Sequence, residues 1–304
     1  MEKFELYVLG CGAALPTPHH FCSSQVLNVR EKLFMIDCAE GIQMQLRRGK
    51  LKLSNLSNIF ITHLHGDHCF GLLGLISTYS LLGRTASLHV WGPEGLKKIF
   101  QPQIDYFCNG MDYNVELHEI SHTTAETIYD DRSVSISTLP LKHRIPCVGY
   151  VFREKQLLRH IRRDIIDSFN IPISQINNIK AGLDWTTPDG DTIPNRILTT
   201  PPSPARSFAY LSDTTYVPEL AEHLQGIDLL YHETTFSEEH KLLARQTHHS
   251  TAAQAATMAR LCNAKKLLIG HFSSRYKDDS ILLKEAQAIF PDTIAAAEGM
   301  TINI

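Results

Sequence analysis

No apolar run in this chain approaches the roughly 18 to 20 residues that span a bilayer, so a helical membrane anchor is not expected. The first nine residues, MEKFELYVL, lack the basic segment and long apolar stretch of an export signal, and the reading is of a soluble, cytoplasmic protein with no membrane partner. The seven cysteines form neither a CxxC pair nor an even count, which argues against a disulfide framework or a cysteine zinc site. They read as reduced thiols. A charge excess of one sign is missing too: 29 basic against 32 acidic residues leave a net charge of -3, so nucleic-acid contact has to come from a local patch. Internal repeats and low-complexity tracts are lacking, and Gly10 and Gly12 meet neither the dinucleotide-binding nor the P-loop spacing. What remains is a chain of 304 residues, 43% hydrophobic, long enough for one large domain with a sizeable core.

Histidine is plentiful, and residues 58–68, NIFITHLHGDH, concentrate four potential metal ligands, His63, His65, Asp67 and His68, within six positions. Residues 58–62 have the β-branched and aromatic content of a short buried strand ending at His63. His65 follows in the extended period, so both imidazoles point one way. Gly66 then predicts a sharp turn that carries Asp67 and His68 to the other side of the same cavity. Two ligand groups divided by a turn suit two metals better than one.

Around this cluster the pattern alternates strand and helix. Strands are predicted over 4–9, 87–91, 114–120, 133–141, 208–211, 227–231 and 266–269, with one or two more over 293–303. A hairpin is predicted for 24–37, turning over Glu31 and Lys32. Helices are predicted over 70–82, where the sequence is almost entirely apolar, and over 93–100, 217–225, 237–246, 250–262 and 279–290. Three apolar strands each deliver one potential ligand at the carboxyl end: His143, Asp213 and His271. Alone, each is most simply a hydrogen-bonded loop residue, but in α/β sheets the carboxyl ends of strands converge on a site. Asp37, also at a strand end, is placed either to cap a helix or to brace a metal-bound histidine from behind.

Residues 153–182 form an inserted arm that opens with a basic cluster including Arg159, Arg162 and Arg163. Helical spacing sets Arg159 and Arg163 on one face and Leu158, Ile161 and Ile165 on another, which fits either a solvated amphipathic helix or a grip on a phosphate backbone. Residues 183–205 read as a loop returning to the sheet.

Imidazoles and carboxylates without thiolate suit Zn²⁺ and also accept Mn²⁺ or Fe²⁺. The most economical assignment gives one ion His63, His65 and His143 and the other Asp67, His68 and His271, with Asp213 bridging and a position left open for water. Two ions about 3.5–4 Å apart stabilise both the attacking and the leaving oxygen of a phosphoryl displacement.

The run from His63 to His68 is the HxHxDH pattern of the metallo-β-lactamase superfamily. Further stretches, LGCGAALPT from Leu9, WGPEG from Trp91, HETTF from His232, HST from His249 and GHFSSRY from Gly270, make the chain resemble the short-form ribonuclease Z family end to end. The resemblance implies an α/β fold, a four-layer αβ/βα sandwich with a protruding arm, in a single domain over 1–304. It implies two Zn²⁺ per subunit, a homodimer, and a metal-dependent endoribonuclease that removes the 3′ trailer of precursor tRNA, leaving a tRNA 3′-hydroxyl and a 5′-phosphorylated trailer. It makes Asp67 the proton acceptor for the attacking water, and His249, held by Glu233, a proton donor to the leaving oxygen. Arg275 becomes a partner for the scissile phosphate, and Arg159, Arg162 and Arg163 contacts to the tRNA.

Three places depart from the family pattern. The early loop, PTPHHF over 16–21, lacks the arginines often found there; residues 170–182 lack the arm's usual Gly-Pro pair; and Glu298 stands where aspartate is common. Two alternatives accompany this reading: a small-molecule phosphodiesterase or other hydrolase of the superfamily, and an RNA-binding module without turnover.

Overall fold

The computed structural model describes residues 2–304, which divide into two compact units, Glu154–Ala205 and the remainder of the described chain. The larger unit is built on two seven-stranded mixed sheets. In the first, Thr301–Asn303, Phe4–Gly10, Ser24–Val29, Lys32–Ile36, Leu56–Phe60, Leu88–Pro93 and Val115–Ile120 lie side by side in that order. In the second the order is Thr293–Ala295, Lys266–Gly270, Leu229–Glu233, Ser207–Leu211, Val148–Glu154, Val134–Pro140 and Thr127–Asp130.

The period of two along each strand decides what faces what. In Phe4–Gly10, Phe4, Leu6 and Val8 point into the core between the sheets, while Tyr7 and Leu9 pack with the outer helices. The inter-sheet core is aromatic: the Phe60 ring meets Phe152 edge-on at 5.8 Å, and Phe34 meets Phe152 at 6.1 Å. Helices Ile42–Arg48, Leu72–Leu81 and Leu96–Phe107 cover the outside of the first sheet. Ala252–Leu261, Ser280–Gln287 and the 3₁₀ turn Pro218–Leu224 cover the second. Of the four parallel strands of the second sheet, the inner three, Ser207–Leu211, Leu229–Glu233 and Lys266–Gly270, are buried along almost their whole length, as two covered faces require.

Several expectations shift. The hairpin turns over Arg30 and Glu31, one residue earlier than predicted, because both adopt positive φ (51° and 69°), as a two-residue turn joining twisted strands demands. The strand expected over 58–62 is Leu56–Phe60, and it ends where Thr62 N–H turns to the Asp37 carboxylate. The helix expected over 70–82 is Leu72–Leu81, and it is covered on one face only, leaving Leu81 and Leu82 exposed. The strand Val148–Glu154 and the helix Ile42–Arg48 have no counterpart in the sequence reading.

The unit Glu154–Ala205 differs most from its expectation. No helix runs through Arg159: His160–Ile161 pairs with Thr199–Thr200, and a short helix begins only at Arg163. Residues 183–205 are no simple loop, since Trp185–Thr186 pairs with Thr192–Ile193. Ile166, Ile171 and Ile179 from the first part share a core with Trp185, Ile193 and Leu198 from the second. Both stretches are needed to bury that core, so the insertion spans 154–205 rather than 153–182.

Candidate active site

Strand ends in both sheets supply the site. In the second sheet, Leu211 lies opposite His232 and Glu233 opposite Gly270, which aligns the carboxyl ends leading to Asp213, Glu233 and His271. In the first, Ile36 lies opposite Phe60, which aligns Asp37 with the chain leading to His63. The sheets are joined at this rim: Val148 N–H donates to Thr62 O at 3.0 Å and the Tyr150 hydroxyl to Ile61 O at 2.7 Å. Asp37 and His271 both sit in the left-handed region, at φ 58° and 60°. Such backbone costs about 1–2 kcal/mol at a non-glycine residue, and here it occurs twice at the rim of one cavity.

Asp67 and His68 arrive on a single helical turn, Gly66–Cys69. The chain leaves extended backbone at His65 and enters that helical turn at Gly66, which carries Asp67 and His68 to the second ligand group; a Cβ on Gly66 would lie 2.3 Å from the exposed Phe70 ring, which can swing aside. Gly71 is the tighter constraint. A Cβ would fall 1.9 Å from Ala39 O, where the chain docks on the strand-end loop through Cys38 N–H to His68 O and Gly71 N–H to Cys38 O.

All seven residues singled out as potential ligands come together around Asp213. Its Oδ2 lies 3.6 Å from His63 Nε2 and 3.8 Å from His143 Nε2, and its Oδ1 lies 3.1 Å from His271 Nε2 and 3.5 Å from His68 Nε2. His65 Nδ1 is 3.4 Å from His143 Nε2, and Asp67 Oδ2 is 3.1 Å from His68 Nε2. Two groups result: His63, His65 and His143 with Asp213, and Asp67, His68 and His271, of which His68 and His271 face the other Asp213 oxygen.

The rear nitrogen of four of these rings is already taken. His68 Nδ1–H donates to Asp37 Oδ2 at 2.8 Å and His143 Nδ1–H to His248 O at 3.1 Å. His63 Nδ1 meets the Thr62 hydroxyl at 3.0 Å and His271 Nδ1 meets the Thr235 hydroxyl at 2.9 Å. Each threonine donates onward to a buried carboxylate, Thr62 to Asp37 and Thr235 to Glu233, so each hydroxyl oxygen accepts from the ring. Neither threonine was singled out from the sequence; their signal was position, Thr62 next to His63 and Thr235 two residues after Glu233.

The Nε2 atoms of His63, His68 and His271 are buried with no hydrogen-bond partner among the described residues. Buried polar atoms are rarely left so, and three of them converging on one carboxylate fit a cation. The field agrees. Burial opposes charge on His68, yet the carboxylates of Asp37, Asp213 and Asp67 outweigh it and favour a positive charge there. Burial likewise opposes the Asp213 carboxylate, and His271, His68 and His63 hold its pKa well below the usual range. Nitrogen and oxygen donors without thiolate suit a divalent ion such as zinc.

Beside this cluster stands a second pair. Glu233, fully buried, accepts from His249 Nδ1 at 3.0 Å, from Ser250 N–H at 2.9 Å and from Thr235 N–H at 3.0 Å. The His249 ring lies 5.2 Å from that of His143 and 5.4 Å from that of His271. Burial lowers its pKa and Glu233 raises it, with a net rise.

The basic residues are less uniform. Arg275 is exposed in the turn after His271. Within the 154–205 unit, Arg159 Nε donates to the Thr199 hydroxyl at 2.7 Å, Arg162 faces Asp164 at 3.5 Å, and Arg163 is 92% exposed, 4.0 Å from Asp167. Arg159 is thus a structural tie within that unit.

Comparison with known proteins narrows the chemistry. Residues 186–272 match the family described as beta-lactamase superfamily domain, and residues 4–116 match that described as anti-Pycsar protein Apyc1. The chain is 58% identical over 304 residues to a ribonuclease Z of Bacteroides thetaiotaomicron, covering 100% of this chain and 96% of that one. It is 54% identical over 304 residues to a ribonuclease Z of Bacteroides fragilis, covering both in full. Among solved structures, human tRNase Z, short form, superposes with a TM-score of 0.72 at 26% identity, covering 99% of each chain. Two mixed sheets flanked by helices are the metallo-β-lactamase fold.

Proposed function

The chain belongs to the ribonuclease Z family, the tRNA 3′-end-processing endonucleases, and from that premise we propose how its own residues cut a precursor tRNA. The products are a tRNA ending in a 3′-hydroxyl and a trailer beginning with a 5′-phosphate. The observation that carries the proposal is the convergence of His63, His65, His68, His143 and His271 on the two oxygens of Asp213, with the Glu233–His249 pair alongside.

We assign one ion to His63, His65 and His143 and another to Asp67, His68 and His271, with Asp213 shared, and zinc as the metal. When bound, such a pair supplies Lewis acidity to the phosphodiester and neutralises charge gathering on its oxygens. The protein's residues do the rest. Asp37, Thr62, Thr235 and the His248 carbonyl fix four ring orientations, which removes the cost of arranging them at the moment of reaction. Asp67, whose side chain is 12% exposed, faces the cavity and accepts the proton of the attacking water. With Nδ1 engaged by Glu233, His249 has Nε2 free to face substrate and give a proton to the departing 3′-oxygen. Arg163 and Arg275, both exposed, are offered to RNA phosphates.

A homodimer belongs to the same proposal: the helices outside the first sheet leave Leu81, Leu82, Tyr106 and Phe107 exposed, apolar surface that a second copy would cover. A cytoplasmic site of action fits seven free, buried cysteines, and among the described residues no helix is long and apolar enough to cross a membrane. The test is incubation of zinc-loaded protein with a 3′-extended tRNA and mapping of both new ends. Cleavage beside the acceptor stem with a 5′-phosphate on the trailer is the expected result. Turnover of a small phosphodiester without that cleavage would assign the site to another substrate.

A further inference from the structure

His20 lies in the early loop, one of the places where the chain departs from its family's pattern, and it is held from both sides. Its Nε2 is 2.9 Å from Asp279 Oδ2, and its Nδ1 is 3.1 Å from Glu298 Oε2. Glu298 is another departure, so two of the unusual residues touch each other. The other oxygen of Glu298 accepts from Phe21 N–H at 3.0 Å and from Cys11 N–H at 3.4 Å, the two ends of the same loop.

A neutral imidazole has one N–H and one lone pair, and the lone pair would face a carboxylate oxygen at about hydrogen-bond distance. An imidazolium donates to both carboxylates, and charge-assisted pairs of this kind are the stronger class. The loop so tied forms part of the site's wall. Gly12 bridges to Phe272, Ala13 N–H donates to Phe272 O at 2.9 Å, and the His20 ring packs 5.9 Å from Phe272, the residue after His271.

We propose that His20, as an imidazolium clamped between Asp279 and Glu298, is a positioning residue that sets the 12–21 loop against the His271 side of the site, and so sets how RNA enters there. The ring's pKa is pushed up to about 12, first by the hydrogen bond to Asp279 and then by Cys11 and Glu298, in keeping with the geometry. Glutamate reaches further than aspartate, and arginine reaches further than histidine. The pair Glu298 and His20 thus spans the gap that a shorter acid and a longer base would also span. The part concerning RNA rests on the proposed function; the clamp itself does not.

The test has two arms. Long-range ¹H–¹⁵N NMR of the wild-type ring at pH 8 is expected to show both His20 nitrogens protonated, and a neutral ring would overturn the proposal without any variant having to fold. Kinetics on a 3′-extended tRNA form the second arm. H20N and E298D are each expected to raise KM by about tenfold, the size of one lost charged hydrogen bond, with a smaller change in kcat. The reach-compensated double variant H20R/E298D is expected to recover most of that loss. If it is no better than the worse single variant, the clamp does not position the loop. If wild-type protein cleaves no tRNA while the NMR result holds, the proposed substrate fails and the clamp stands.

Discussion

The carboxyl of Glu233 and the ring of His249 meet at 3.0 Å, Oε1 to Nδ1, with the acid wholly buried and the imidazole 12% exposed toward the cavity. A buried acid behind a half-open ring fixes which nitrogen faces outward. His249→Ala is therefore expected to lower kcat for precursor cleavage by about a hundredfold or more, the usual worth of a general acid, with KM little changed. Glu233→Gln is expected to lower kcat as well, because its amide nitrogen would confront donors from Thr235 or Ser250 that the carboxylate now accepts. Single-turnover cleavage measures both, and a His249→Ala protein at full rate would remove the donor role.

Asp37 holds its side of the site through three donors: Thr62 N–H at 2.8 Å, the Thr62 hydroxyl at 3.0 Å and His68 Nδ1–H at 2.8 Å. Asp37→Ala leaves these groups buried and unpaired, at about 1–3 kcal/mol for each unsatisfied donor. Losing the brace behind a ligating histidine typically weakens metal binding by about 10–100-fold. Chelator competition for zinc and urea denaturation read the two effects separately. Wild-type zinc affinity in the variant would show that His68 is oriented without Asp37.

What was legible in the sequence follows from range. His63 to His68 lie just past one strand end and within one turn, so spacing alone predicted that they cluster, and His143, Asp213 and His271, which join that cluster, were marked by apolar strands that end shortly before them. The threonines behind His63 and His271 went unnoticed because a hydroxyl's role depends on which carboxylate folding brings beside it. The insertion was misjudged for a related reason. Its core joins Ile166 and Ile179 to Trp185 and Leu198, contacts between a stretch read as an amphipathic helix and one read as a loop, which neither pattern shows alone.

Two arginines of the insertion, Arg163 and Arg159, are expected to separate. Arg163 is almost fully exposed, with Asp167 only at 4.0 Å, whereas Arg159 is bound to Thr199 within its own unit. Arg163→Ala is expected to weaken tRNA binding and to reduce the slope of log affinity against log salt by about one, as for loss of one phosphate contact. Arg159→Ala is expected to leave that slope unchanged and to speed proteolysis within 154–205. Filter binding over a salt series, with limited proteolysis alongside, measures both. An unchanged slope for Arg163→Ala would take that residue off the RNA.

A group whose pKa is raised in the folded protein contributes stability that is full below its unfolded pKa and is lost as pH rises through the folded one. For His20 the unfolded value is about 6.5 and the folded one is pushed up to about 12, chiefly by Asp279. The stability gap between wild type and His20→Asn is therefore expected to be widest near pH 6 and to narrow steadily toward pH 10. The other groups facing the ring, Cys11, Asp279 and Glu298, are present in both proteins, so their own titration largely cancels in the difference. Urea denaturation of both proteins across that range is the measurement. A gap that stays constant with pH would mean the ring is neutral in the fold, and a neutral ring cannot donate to both carboxylates that hold it.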